Sequence, residues 1–339
     1  MKKRNFYALS IFVLLLGPLL LTGADSSKKI TIKMATLAPK GSSWETVLGE
    51  MGQKWREASN GQVVLQVYPG GVVGDENDMV RKIRIGQIQA AAISSNGLSE
   101  IDRGSNALMI PLLLDSYEEL DYVRNRLSPQ LEERIQKKGF VVLNWGDAGW
   151  ARFFTQEPMT KPAELQRMKL FTWAGAPDTA DLWKAAGFNP VPLAITDLLP
   201  GLQTGLINAF AAPPLTALAF QWFGLAKHMA DLKLAPVVGA TVISKSTWDR
   251  ISPDVQEAMR KAAREAGDRL NQEVRRLDDE AIQAMQERGL TVHHVDETAT
   301  AEWINTVKTA YPKLRDTMIP GDLFDEVLRL RDEFRAGNR

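Results

Sequence analysis

No cysteine occurs in the 339 residues, so the chain has no disulfide framework, no thiolate metal site and no cysteine for a covalent lipid anchor. Histidine is scarce. His293 and His294 are neighbours on a strand-like segment and point to opposite faces, and His228 stands alone, so a shared metal site is not expected. Charge of one sign is missing too, with 41 Lys and Arg against 41 Asp and Glu, which gives no reason to expect nucleic acid or an anionic membrane surface as a partner. The usual catalytic signatures are lacking: no G-x-S-x-G elbow, no H-E-x-x-H helix, no Walker loop. Residues 69–74 have the glycines of a phosphate cradle but neither its lysine nor its Ser/Thr, and read as a turn requiring positive φ. The expectation is therefore a protein that is not an enzyme and carries no cofactor or metal. A pair of carboxylates meeting in a cleft, as in a secreted glycoside hydrolase, is the enzymatic alternative.

One long apolar run is present, residues 6–21, and it follows Lys2, Lys3 and Arg4. It is shorter than the roughly 20 residues of a membrane span, is broken by Gly17-Pro18, and ends at the small residues Thr22-Gly23-Ala24. This reads as a signal peptide, residues 1–24, cleaved after Ala24 to free the protein into the periplasm. Its removal leaves 38 basic against 41 acidic side chains, a net charge of −3. With 45% hydrophobic and 24% charged residues and no repeat or low-complexity segment, the remainder reads as a compact globular chain long enough for two domains.

Residues 30–35 alternate as a strand, and Trp44 opens a helix carrying Val47, Leu48, Met51 and Trp55 on one face. Residues 63–68 and 90–94 are further strands with a helix between them, and Ser95-Asn96-Gly97 is a strand-end turn. Strands alternating with helices at this spacing indicate parallel βαβ units, hence an α/β fold. After a helix capped by Ser116, residues 140–145 form a strand, and residues 146–150 a turn containing Asp147. Asp147 and Arg152, close to Trp145 and Trp150, suit either a polar solute or a structural ion pair. From Ser252-Pro253 a three-to-four residue rhythm runs to Arg288, predicting a helix roughly 50 Å long that spans both domains. A break at Gly267 is the alternative.

The chain is organised around residues 165–221. A strand over 168–173, a helix opened by Asp178, an extended Asn189-Pro190-Val191-Pro192, a leucine-striped helix and a strand over 207–211 follow one another. Two strands thereby deliver Phe171-Thr172-Trp173 and Phe210-Ala211-Ala212-Pro213 to neighbouring turns, the edge of an α/β sheet where ligands bind.

These residues also carry a resemblance. LAPKGSSW, GGVVGDENDMVRKIRIGQIQAAAISSNGLS, IPLLLDSYEEL, KPAELQRMKLF, AAGFNPVPLAITDLLPGLQTGLINAF and VISKSTWDRISPDVQEAMRKAA are similar to the extracytoplasmic solute-binding subunits of tripartite ATP-independent periplasmic (TRAP) transporters, the DctP family, almost end to end. The resemblance implies a two-domain periplasmic-binding-protein clamshell, type II-like, with a long helix across both lobes. It also implies delivery of a small solute to membrane subunits driven by an ion gradient. On it, residues 25–145 with about 237–265 form one lobe, and 146–236 with about 266–339 the other. Most members carry an arginine at the end of the strand written here Met168-Lys169-Leu170-Phe171, which clamps a substrate carboxylate through two parallel charge-assisted hydrogen bonds. Phe171 stands there instead, and Ala212 stands where the family has a second polar contact, an asparagine.

The expected ligand-binding set is Trp44, Asn96, Trp145, Asp147, Trp150, Arg152, Phe171, Trp173, Phe210, Ala212 and Pro213, with core packing as the alternative for each aromatic. The expected solute is largely apolar or aromatic, with a polar end held by Arg152 or Asp147. A ligand sensor docking on a membrane partner without transport remains the other non-enzymatic reading.

Overall fold

The computed structural model describes residues 29–337, apart from the side chain of Pro177. The expected signal peptide lies outside these residues, and among them no helix is long and apolar enough to cross a membrane. Among the described residues ten strands are present: β1 (Ile30–Thr36), β2 (Val63–Tyr68), β3 (Ala90–Ser94), β4 (Phe140–Thr155), β5 (Lys169–Trp173), β6 (Asn189–Leu193), β7 (Ala209–Ala212), β8 (His228–Ala230), β9 (Ala235–Ser244) and β10 (Thr291–His293). The order is β2-β1-β3-β9-β4-β7-β5-β6, with β8 joining β4 to β10. β1 is parallel to β2 and β3, and β5 to β6 and β7, as the βαβ spacing predicts. β9 and β4 break that rule by pairing antiparallel to each other and to β3 and β7 respectively.

β4 holds the two lobes together. Its first twelve residues pair with β9 in the first sheet, and from Arg152 it pairs with β7 in the second. The expected turn at 146–150 is absent. The backbone continues as strand through two register shifts, one beside Asp147, because Gly149 adopts φ +110° and absorbs a bulge where a bulkier residue would force a turn.

The long helix is a single element, Pro253–Gln286, lying behind β4 and packing on both the Ser43–Ala58 helix of the first lobe and the Pro214–Ala219 helix of the second. It does not break at Gly267. A Cβ there would lie 3.0 Å from the Asn144 Cβ and 3.0 Å from the Trp145 carbonyl oxygen, so this glycine allows the helix to touch β4. The last helix, Gly321–Gly337, buries Leu323, Phe324, Val327 and Leu330 against the Tyr117–Lys137 helix and the 103–109 turn.

Gly267→Ala tests the close approach. Intrinsic propensity favours alanine by about 1 kcal/mol, and overpacking costs about 1–3 kcal/mol. The urea midpoint is expected to fall for Gly267→Ala and to rise for Gly49→Ala, a helical site with open space around it. A rise in both would mean that the helix does not bear on β4.

Candidate functional site

A cleft of about 520 Å³ lies between the two sheets, walled by the C-terminal ends of β1, β3, β5 and β7, by the middle of β4 and β9, and by one face of the long helix. Trp44, Asn96 and Asp147 line it, and so do Phe171, Trp173, Ala212 and Pro213. Each is at a strand end or on the element that follows one, except Asp147, which lies in the middle of β4 beside a register shift.

Four of the expected residues do not line it. Trp150 is 1% exposed and packs edge-on against Tyr117, with ring centroids 6.0 Å apart. Phe210 is fully buried and stacks on Phe154 at 5.2 Å, because it sits two residues inside the end of β7 while Ala212 and Pro213 reach the rim. Trp145 joins the first lobe's core and donates its indole N–H to Glu132 at 2.9 Å. Arg152, 7% exposed, is the correction of most consequence. Ala151 faces the cleft, so strand alternation puts Arg152 behind β4, and its Nε and Nη1 are buried without a protein hydrogen-bond partner. The charge it meets there is Asp278 of the long helix, whose carboxyl burial pushes up to about 6 while Arg152 pulls it down. Alternation read correctly through the bulge would have exchanged Arg152 for Ala151. Glu76, Leu270 and Thr172 also line the cleft and were missed, Leu270 because the inward face of the helix depends on the contact at Gly267.

Electrostatically the cleft is short of free cations. Asp147 is nearly sealed from solvent. One oxygen pairs with Arg124, and the other accepts from Arg275 Nη2 at 2.6 Å and Nε at 3.0 Å. Asp121 closes the network, 2.5 Å from Arg124 and 2.6 Å from Arg275. Asp147 is thus the structural-ion-pair alternative, formed with Arg124 and Arg275 rather than with Arg152. Among the described lining residues the one cation is Arg103, which is bound to Asp178 at 2.9 Å and to the Thr317 carbonyl at 2.5 Å. Two neutral lining groups are free to meet a ligand: Asn96, whose side-chain amide makes no hydrogen bond among the described residues, and Thr172, whose buried hydroxyl has none. His293 meets His228 at 2.9 Å and His294 meets Asp231 at 2.8 Å, both outside the cleft.

The family described as "Bacterial extracellular solute-binding protein, family 7" (DctP) matches residues 34–317. The chain is 26% identical over 239 residues, 70% of its length and 73% of the relative's, to the 2,3-diketo-L-gulonate-binding periplasmic protein YiaO of Escherichia coli. Its fold superposes with a TM-score of 0.82 at 20% identity on a TRAP periplasmic solute-binding protein from Xanthobacter autotrophicus with bound β-D-galacturonate, over 89% of this chain and 99% of that one. A Ralstonia eutropha counterpart with bound (S)-2-acetolactate gives 0.83 at 22% identity, over 89% and 99%.

Glu76 gives the site a measurable signature. It is 3% exposed and accepts from Ser94 N at 2.8 Å, Ser94 Oγ at 2.7 Å and Gly97 N at 2.9 Å, yet burial outweighs these donors and pushes its carboxyl from 4.5 to about 7. A carboxyl raised on folding binds more protons in the native state. Its stabilisation is complete below about pH 4.5 and is lost as pH rises through about 7. Asp278 acts with the same sign. His228, pulled down by burial and by His293, acts with the opposite one, losing stability as pH falls below 6.5. Urea titrations from pH 5 to 8 should show a shallower fall of stability with pH in Glu76→Gln than in wild type, at about 1.4 kcal/mol per pKa unit removed. Parallel profiles would mean that Glu76 titrates as an ordinary carboxylate.

Proposed function

The chain belongs to the DctP family of bacterial extracellular solute-binding proteins, whose members are receptors for TRAP transporters rather than enzymes, and we propose that this receptor takes a largely apolar or aromatic solute with an uncharged polar end. The observation that carries this reading is the pairing of an apolar wall with the lack of a buried, fixed cation among the described lining residues. Phe171 and Trp173 end β5, Ala212 and Pro213 follow at β7, and Trp44 and Leu270 stand nearby. Arg103 is more than half exposed and paired with Asp178, and Arg152 lies behind β4.

A carboxylate entering such a cleft gives up hydration worth several kcal/mol, and only a fixed cation or several donors recover it. Apolar area contributes about 25 cal/mol per Å², so covering roughly 200 Å² of ligand supplies about 5 kcal/mol before association costs. The volume points the same way, since about 520 Å³ falls within the range that encloses drug-sized ligands and exceeds what a compact diacid fills. Asn96 and Thr172 replace Arg152 and Asp147 as the groups for the polar end. The acids bound by the relatives belong to chains about a quarter identical or less, a distance at which a cleft can be rebuilt on a retained fold. Export through a cleaved signal peptide, and closure of the lobes on the solute, complete the reading.

A calorimetric panel tests it. Aromatic and medium-chain neutral solutes are expected to bind at micromolar levels, with Trp173→Ala costing about 2 kcal/mol, roughly thirtyfold. Micromolar binding of succinate, malate or glucuronate, indifferent to Trp173→Ala, would overturn the apolar reading and leave the receptor standing.

A further inference from the structure

The lobes touch each other at the cleft rim through contacts that bypass the cleft contents. The Trp173 indole N–H donates to Asp75 Oδ2 at 2.6 Å, joining the end of β5 in the second lobe to the residue that caps the Glu76–Arg84 helix of the first. Two residues along on each chain segment, the Asn77 side-chain amide donates to the Gly175 carbonyl at 3.2 Å. A Cβ on Gly175 would lie 2.1 Å from Asn77 Nδ2, so the Asn77 amide fits against residue 175 because that residue has no side chain. A third link, Arg103 to Asp178, spans the same gap. Asp75 and Asn77 do not line the cleft, whereas Trp173 and Gly175 do.

We propose that Asp75 is a positioning residue that, with Asn77, forms a clasp on Trp173 and Gly175, holding the indole in the cleft wall and the lobes closed even without solute. The three links are unequal. Arg103 and Asp178 are more than a third exposed, and exposed ion pairs contribute little. A charge-assisted hydrogen bond between half-buried partners contributes more, so Trp173–Asp75 dominates. The division of labour within Asp75 supports this, since Oδ1 accepts from the Glu76 backbone at 2.7 Å as the helix cap and leaves Oδ2 for Trp173. A solute entering the closed form must first wait for this bond to break, so the clasp sets exchange rate as well as affinity.

The clasp presupposes the two-lobed hinge, and the experiment separates the two. The chain has no cysteine, so Ile85→Cys and Leu206→Cys, both exposed and on opposite lobes away from the cleft, accept spin labels selectively. Pulsed dipolar spectroscopy on purified protein without added solute is expected to show a closed population. Asp75→Asn keeps the cap oxygen and turns the other atom into a donor facing a donor, and Trp173→Phe keeps a ring without the N–H. Each should lower the closed-to-open ratio about tenfold, with no further loss in the double variant because both remove one bond. Gly175→Ala should shift it in the same direction. Two populations unmoved by these variants, or a wild type wholly open, would overturn the clasp alone, whereas one invariant distance in every variant would overturn the hinge with it.

Discussion

One strand, β4, passes from the first sheet into the second, and a carboxylate shut away from water, Asp147, lies on it just before it does so. Asp147 could not be buried at that crossing unless both its oxygens were paired, since an unmatched buried charge costs several kcal/mol. Arg124 from the Tyr117–Lys137 helix and Arg275 from the long helix supply the partners, and Asp121 balances them. One ion cluster therefore ties a first-lobe helix, the crossing strand and the brace into one unit. The same cluster neutralises the acidic side chain best placed to face a solute, so the requirement that holds the hinge together also removes charge from the cleft.

What remains in the cleft follows from the strand ends. A parallel sheet brings its C-terminal ends to one edge, and here these ends are Phe171-Thr172-Trp173 and Ala212-Pro213. At these ends the backbone presents apolar area and one neutral polar side chain, Thr172. Retaining the frame while changing the residues at its edge is how one fold serves many solutes. Tryptophan at 173 serves twice, its face turned to the cleft and its N–H to Asp75 across the gap.

Much of this could be read from the chain alone because it is local. The βα alternation, the single long helix, the Ser116 cap and the two strand ends are encoded in spacings of a few residues. The errors came where a local pattern was altered by a distant one. The glycines at 146 and 149 read as a turn, yet the strand continues with a bulge at Gly149, and side chains beyond it alternate between faces, which places Arg152 behind β4. Trp150 and Phe210 were drawn into cores whose partners, Tyr117 and Phe154, lie tens of residues away. The surface that the C-terminal helix covers, the Tyr117–Lys137 helix, is likewise some two hundred residues away in sequence. Asp75 and Trp173 are 98 residues apart, and no spacing rule relates them.

The central claim is that this receptor's cleft is built for apolar area and not for charge. It is met most directly by identifying the molecule the protein carries: purification from periplasm without added solute, extraction, and mass spectrometry of what is released. The account predicts a stoichiometric compound with an aromatic or extended aliphatic body and an uncharged polar group. A stoichiometric dicarboxylate, uronate or other small acid in its place would contradict it.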